Sequence, residues 1–390
     1  MILKLALKNI IGYGWRSLIN MVIIALMVVG MIWMEAMYYS WLKLAKTQQQ
    51  EWEYGQGMFQ VESYDPYDAF TWEDAHEPTG ALEPAIEAGK AVPVLLSPGV
   101  IYPHQRMISA IVKGIPREQK MLRFPSGKLV SQGDGYVPAI IGKAMAKSSR
   151  LREGDVFTLR VKDSNGAFNT LDLKLAMIVD NPVPSMDIGT IWIDLDTLRE
   201  LKQLPGMATT VAVGDPSLAE LKAEGYEFTP VAKLFKNFDD IMKTENFSKY
   251  MIYGLLMFLA MLAIFDTQAL ALFKRRKEIG TFAALGMTKR QIMALFTVEG
   301  TLYTIFGIIL AGILGFPMFY YFAVYGFKLP EGYDDFGIGG FNEPIHYKYP
   351  PEVYLGVIFW VVLITVVVSW LAARRIARMK VTEALKGKVG

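Results

Sequence analysis

Four stretches of this chain are apolar and long enough to cross a bilayer, which takes about 20 helical residues. They run roughly from Leu18 to Trp41, Tyr250 to Phe273, Thr301 to Val324 and Val353 to Ala373. In lipid a backbone must satisfy its own hydrogen bonds, so each stretch is expected to be a helix. The first is too long for the apolar core of a cleaved signal peptide, and no small-residue cleavage site follows it. Composition agrees: 52% of the 390 residues are hydrophobic and only 20% are charged. The fold class expected is an α-helical membrane protein with four transmembrane helices and a large mixed α+β extracytoplasmic domain between helices 1 and 2.

Lysine and arginine near the span ends set the orientation. Lys4, Lys8 and Arg16 precede the first span, and Lys274, Arg275, Arg276, Lys277, Lys289 and Arg290 follow the second. Arg374, Arg375, Arg378 and Lys380 follow the fourth, whereas the loop after the third holds only Lys328 and Lys348 beside several acids. The expected organisation is a cytoplasmic amphipathic helix at 1–16, then TM1 at 17–41. An extracytoplasmic domain follows at 42–248, with TM2 at 249–273. A cytoplasmic helix–turn–helix at 274–299 leads to TM3 at 300–325, an outer loop at 326–352, TM4 at 353–373 and a cytoplasmic tail at 374–390. Cysteine is absent, so single introduced cysteines test this directly. Ser164→Cys and Gly339→Cys should label from outside in intact cells, and Thr288→Cys should not; outside labelling at Thr288 overturns the topology.

The same absence excludes disulfides, thiolate metal sites and cysteine nucleophiles. His76, His104 and His346 lie far apart, which argues against a histidine metal site. The net charge of +2 lacks the basic excess of a nucleic-acid binder. No phosphate-binding Gly-x-x-x-x-Gly-Lys-Ser/Thr loop, Gly-x-Ser-x-Gly or His-Glu-x-x-His occurs, so ATP hydrolysis by this chain and the common hydrolase chemistries are not expected.

Between the first two spans, Ile108–Val112, Val156–Val161, Leu171–Val179 and Thr190–Ile193 read as strands. Ala139–Arg150, Asp196–Gln203 and Ser217–Glu224 read as helices, and Thr229–Lys249 as a helix leading into span two. Glu51–Pro78 reads as a mobile lead-in. The first fourteen residues place Leu3, Leu7, Ile10 and Gly14 on one face beside Lys4 and Lys8. That pattern fits either a helix lying along the inner membrane surface or an inward extension of span one.

The segment after span two is the most informative. Ile279, Phe282, Ala283 and Gly286 share one helical face. Gly286 is placed to end that helix in a left-handed conformation, and Thr288 with Gln291 has the spacing of a capping box for the next. Gly300, Gly307, Ala311 and Gly315 form a face on span three that lets a neighbouring backbone approach, either in another span or in a second copy. Asp266 lies inside span two. It reads either as a carboxylate hydrogen-bonding within the bundle or at interfacial water, or as a proton relay.

Lys277-Glu-Ile-Gly280-Thr-Phe-Ala-Ala-Leu-Gly286-Met-Thr-Lys-Arg-Gln291 resembles the "REIGxxxALGxxxxQ" signature of FtsX-like permeases, which include the MacB and LolC/LolE types of ABC transporter. Ala373-Arg-Arg-Ile-Ala-Arg378 with Thr382-Glu-Ala-Leu385 resembles the family's ending, and Leu5-Ala-Leu-Lys-Asn-Ile10 its opening. Ile140–Ala146 and Leu151–Asp155 are similar to its "GxxLAxxLxxxxGD" stretch. The chain departs from the pattern at Lys274, at Lys380-Val381 and at Asp266, where the family often has asparagine.

The resemblance implies a permease subunit in a bacterial cytoplasmic (inner) membrane, paired with a second copy or a related permease. It implies no cofactor in this chain, with ATP and Mg bound by a partner ABC ATPase dimer. Lys277, Glu278, Ile279, Gly280, Phe282, Ala283, Ala284, Leu285 and Gly286 would couple to that ATPase, and its motion would reach the outside domain. There the complex would export or extract a lipoprotein, peptide or hydrophobic compound. The alternative is a regulator that activates a cell-wall hydrolase or sensor and transports nothing. The spans carry few polar groups (Asn20, Glu35, Asp266, Thr267, Gln268 and scattered hydroxyls), so substrate is expected to be handled by the outside domain, or to enter laterally from the outer leaflet, and not to cross through the bundle.

Overall fold

The computed structural model describes residues 2–12, 14–65, 68, 70–131, 133–180, 189–236, 247, 250–255, 257–258, 261–262, 265, 275–328 and 344–377. The chain divides into two compact units, one of residues 1–41, 242–327 and 345–390 and the other of residues 42–241 and 328–344.

The helices in chain order are α1 (Ile2–Gly12), α2 (Trp15–Gln49), α3 (Leu82–Glu87), α4 (Lys143–Ser149), α5 (Leu195–Lys202), α6 (Arg276–Ala284), α7 (Lys289–Val324) and α8 (Pro351–Ala377). Residues 231–236 and 250–255 are also helical. Three helical stretches among the described residues are long and apolar enough to cross a membrane: Ser17–Tyr54, Lys289–Val324 and Pro351–Arg374. They correspond to the expected first, third and fourth spans. Most of the expected second span, including Asp266, lies outside the described residues.

In the first unit, Gly14 takes a φ of +46° and separates α1 from α2. The small-residue face of α7 is buried. A Cβ added at Gly307 would lie 2.8 Å from Ile24 Cγ2 and 3.1 Å from the Met21 carbonyl oxygen, and one at Gly315 3.0 Å from Val29 Cγ2. At Gly307 the neighbour is therefore α2 of the same chain, including its backbone, whereas at Gly315 the Phe319 ring of α7 itself comes first, at 2.7 Å, with Val29 of α2 behind it. Glu35 of α2 accepts a hydrogen bond from the Tyr253 hydroxyl at 2.9 Å.

The second unit is β-rich. Its strands are β1 (Gly57–Val61), β2 (Ala91–Tyr102), β3 (Ile108–Ile115), β4 (Val137–Gly142), β5 (Val156–Lys162), β6 (Phe168–Val179), β7 (Thr190–Asp194), β8 (Thr210–Val213) and β9 (Tyr226–Pro230). They pair in the order β3-β7-β4-β6-β5-β2, and β2 pairs back onto β3, so six strands close a ring. The first four residues of β2 pair with β8 instead, and the sheet continues through β1 to β9. Alternation along the strands feeds three cores among the described residues. Ile101, Val112, Leu159, Leu173, Ile141 and Ile193 share one with α4 and α5. Val94, Leu96, Ile115, Ile140 and Trp192 share a second, and Phe59, Val61, Val211, Val213 and Tyr226 share a third with Leu82 of α3.

Several local expectations fail here. Ala139–Arg150 is not one helix: its first residues belong to β4, between β6 and β7, and only Lys143–Ser149 is helical. A short buried apolar run has no period that separates strand from helix. Ser217–Glu224 is reduced to a 3-10 turn at Pro216–Glu220, capped by Asp215. Thr229–Lys249 begins in β9, and within it helix is described at 231–236 and at 247. Glu51–Pro78 holds β1 and two short helical turns. No expectation anticipated β2, whose Pro93 and Pro98 argue against a strand on local grounds.

Candidate functional site

The segment from Arg275 to Glu299 folds as a helix, a tight turn and a second helix. Its turn is built from local chemistry. Gly286 takes a φ of +92°, and the Met287 amide donates to the Phe282 carbonyl at 3.0 Å. That bond closes the end of α6 in the manner of a Schellman motif, and Phe282 and Met287 both pack against the same apolar cluster. At the start of α7 the Gln291 amide donates to Thr288 Oγ1 at 3.3 Å. The Gln291 side-chain oxygen accepts from the Thr288 amide at 2.8 Å. This reciprocal box satisfies two donors that a helix start otherwise leaves open.

Two anchors hold α6. One is apolar: Ile279 packs with Ile292 and Phe296 of α7 and Ala372 and Ala373 of α8, with Phe265, Phe282, Met287 and Met293 around them. The other is ionic. Arg275 Nη1 donates to both carboxylate oxygens of Glu299, at 2.9 and 3.0 Å, and Arg275 Nε donates to Glu278 at 2.8 Å. The Arg275 guanidinium also lies 4.9 Å from the centre of the Phe296 ring. The Arg275 and Glu299 side chains are 6% and 8% exposed. Asn9 of α1 donates to Glu299 Oε2 at 3.2 Å, so one buried carboxylate ties α1, α7 and the start of α6 together.

The residues expected to couple divide between two faces. Ile279 and Gly280 are buried and Phe282 is half-buried, so these are turned into the unit. Glu278, Thr281, Ala284, Leu285 and Gly286 are exposed, Leu285 by 78%. Lys277 and Ala283 belong to α6, but their side chains lie outside the described residues. Gly300, Gly307, Ala311 and Gly315 are buried further along α7. Asp266 lies outside the described residues.

Sequence reasoning missed Arg275 and Glu299 as a pair, and Asn9 with them. A signal was present. Glu299 interrupts a long apolar run, and a charge there needs a named partner. Which of the nearby cations supplies it is not readable from spacing.

The FtsX-like permease C-terminal family model matches residues 250–381. This range contains the α6–turn–α7 element, its anchors and α8. A search of curated proteins gives no match. Among solved structures, the extracellular domain of the noncanonic ABC-type transporter YknZ from Gram-positive bacteria is similar at 10% identity and a TM-score of 0.26, over 44% of this chain and 98% of that one. A score of that size does not establish a shared fold. Over residues 250–381, about a third of its length, the chain is similar to the C-terminal part of FtsX-like permeases.

Proposed function

We propose that this chain is the membrane subunit of an ABC transporter and that α6 with its turn is where the ATPase subunits dock. The observation that carries the reading is the division of α6 into an anchored face and an open one. Glu278, Thr281, Ala284 and Leu285 are exposed on one side of the helix, Glu278 while it also holds Arg275. Ile279, Phe282 and Arg275 fasten the helix to α7 and α8. A load on the open face is then transmitted to two membrane helices instead of being absorbed by a loose loop. Interiors packed in this way shift as units between discrete arrangements.

On this reading the chain sits in a bacterial inner membrane with both termini inside. ATP-driven movement of the ATPase is passed to the β-rich extracytoplasmic domain, which acts on a lipoprotein, peptide or hydrophobic compound. ATP and Mg are held by the ATPase and not by this chain, and a second permease copy completes the assembly.

Leu285 is the apolar anchor most open to a partner. Leu285→Asp should weaken co-purification of the ATPase about tenfold or more, because a charge is placed where an apolar side chain is to be buried. Glu278→Lys should lower ATP-dependent activity while the chain remains inserted. Unchanged ATPase binding and activity in both variants would remove α6 from the mechanism.

A further inference from the structure

α1 has two opposed faces. Ala6 and Ile10 are buried, and Asn9 reaches Glu299 on α7. At helical spacing these three share one side, and Lys4, Lys8 and Ile11 fall on the other. All three of the latter are exposed, Ile11 by 79%. Leu3 is also exposed, and so is Trp15, just beyond the bend at Gly14. Neither lysine has an ion pair among the described residues. No Asp or Glu occurs from Ile2 to Ser17, whereas Lys4, Lys8 and Arg16 do. The amide of Leu18 donates to the Gly14 carbonyl at 3.2 Å, so this basic and apolar face ends where the first membrane helix begins.

We infer that α1 is seated on anionic phospholipid headgroups of the leaflet it lies against, and that its seating reaches α6 through the Asn9–Glu299–Arg275 link. The lysines fit an anionic surface. Their alkyl stems, with Leu3, Ile11 and Trp15, fit the boundary between headgroup and acyl chain, where amphipathic side chains partition. An acidic protein surface would satisfy the lysines but leave those apolar side chains in water. The link works because Glu299 accepts from Asn9 and Arg275 together. A displacement of α1 along α7 changes how the carboxylate is shared, and Arg275 stands at the start of α6. The second half of the inference rests on α6 being the coupling element; the first half does not.

The test uses the full chain, which has no cysteine of its own, in nanodiscs of phosphatidylcholine alone or with phosphatidylglycerol. One environment-sensitive fluorophore is placed at Gly12→Cys, an exposed position where a Cβ meets nothing within 4 Å. A second preparation carries it at Ala284→Cys on the open face of α6. Phosphatidylglycerol should shift the Gly12 probe to a less polar environment. Lys4→Gln with Lys8→Gln should raise the phosphatidylglycerol fraction needed for half of that shift about fivefold or more. The Ala284 probe should respond to the same lipid, and Asn9→Leu should abolish that response while leaving the one at Gly12.

Identical Gly12 emission in both lipids overturns the seating. A Gly12 shift that appears only on adding the ATPase, in either lipid, assigns the lysines to an acidic protein surface and also overturns it. A Gly12 response with none at Ala284 in the unsubstituted chain overturns the link. Neither readout uses ATP hydrolysis, so failure of the ATPase-docking reading is distinguishable from failure here.

Discussion

Replacing Arg275 with methionine should cost about 3–5 kcal/mol of stability, because it leaves the Glu299 carboxylate buried without its cation. Both side chains are under a tenth exposed, so solvent screening gives little relief. Asn9 alone cannot replace a guanidinium that donates to both carboxylate oxygens. Removing both charges should be far milder. In Arg275→Met with Glu299→Met no ion remains to be desolvated, and the methionines can fill space beside Phe296 and Met293. The measurement is thermal unfolding of the full chain in one detergent, followed by tryptophan fluorescence, for both single variants and the double. The expected result is strong non-additivity, with the double variant more stable than the Arg275 single variant. Additive losses would show that the two charges do not depend on each other, and α6 would lose its ionic anchor.

Gly307→Leu should destabilise the helical unit by about 1–3 kcal/mol, the usual cost of forcing extra methylenes into a filled interface. The Cβ alone would stand 2.9 Å from Ile24 Cβ and 3.1 Å from the Met21 carbonyl oxygen, and backbone oxygen cannot rotate away. α2 and α7 must then move apart, which weakens the close van der Waals packing that drives association between membrane helices. Gly312 lies on the same helix, and a Cβ there meets nothing within 4 Å. Gly312→Leu should therefore change stability by no more than about 0.5 kcal/mol. Unfolding temperatures of the two variants in the same bilayer mimic decide the matter. Equal shifts at the two positions would mean that the observed approach of α2 to Gly307 is not the packed arrangement.

The two experiments probe different parts of the same unit. The ion pair fixes α6 to α7, and the glycine face fixes α7 to α2. If α6 is pushed by an ATPase, the Arg275 pair is the first joint to bear the load. An Arg275→Met, Glu299→Met chain that is stable but poorly coupled would separate holding α6 in place from holding the protein together.

What the sequence by itself determined is what neighbouring residues settle among themselves. About twenty apolar residues in lipid become a helix for want of any other partner for the backbone, and α2, α7 and α8 follow from that. Gly286, and Thr288 with Gln291, specify the turn from within a few residues, because a left-handed glycine and a capping box need no distant contact. Strands β3, β5, β6 and β7 were legible through β-branched runs and turn residues at their ends. The tertiary structure alone decided the rest. Val137–Gly142 became β4 because β6 and β7 offered hydrogen bonds on both sides. Ala91–Tyr102 became β2 despite two prolines because it pairs with β8, β5 and β3, the last of these closing the ring. Glu299 had several cations within reach in sequence. Packing of Ile279, Ile292 and Phe296 placed Arg275 against it, and Asn9 joined from 290 residues away. A buried charge announces that it needs a partner, but burial and position, which belong to the folded chain, choose the partner.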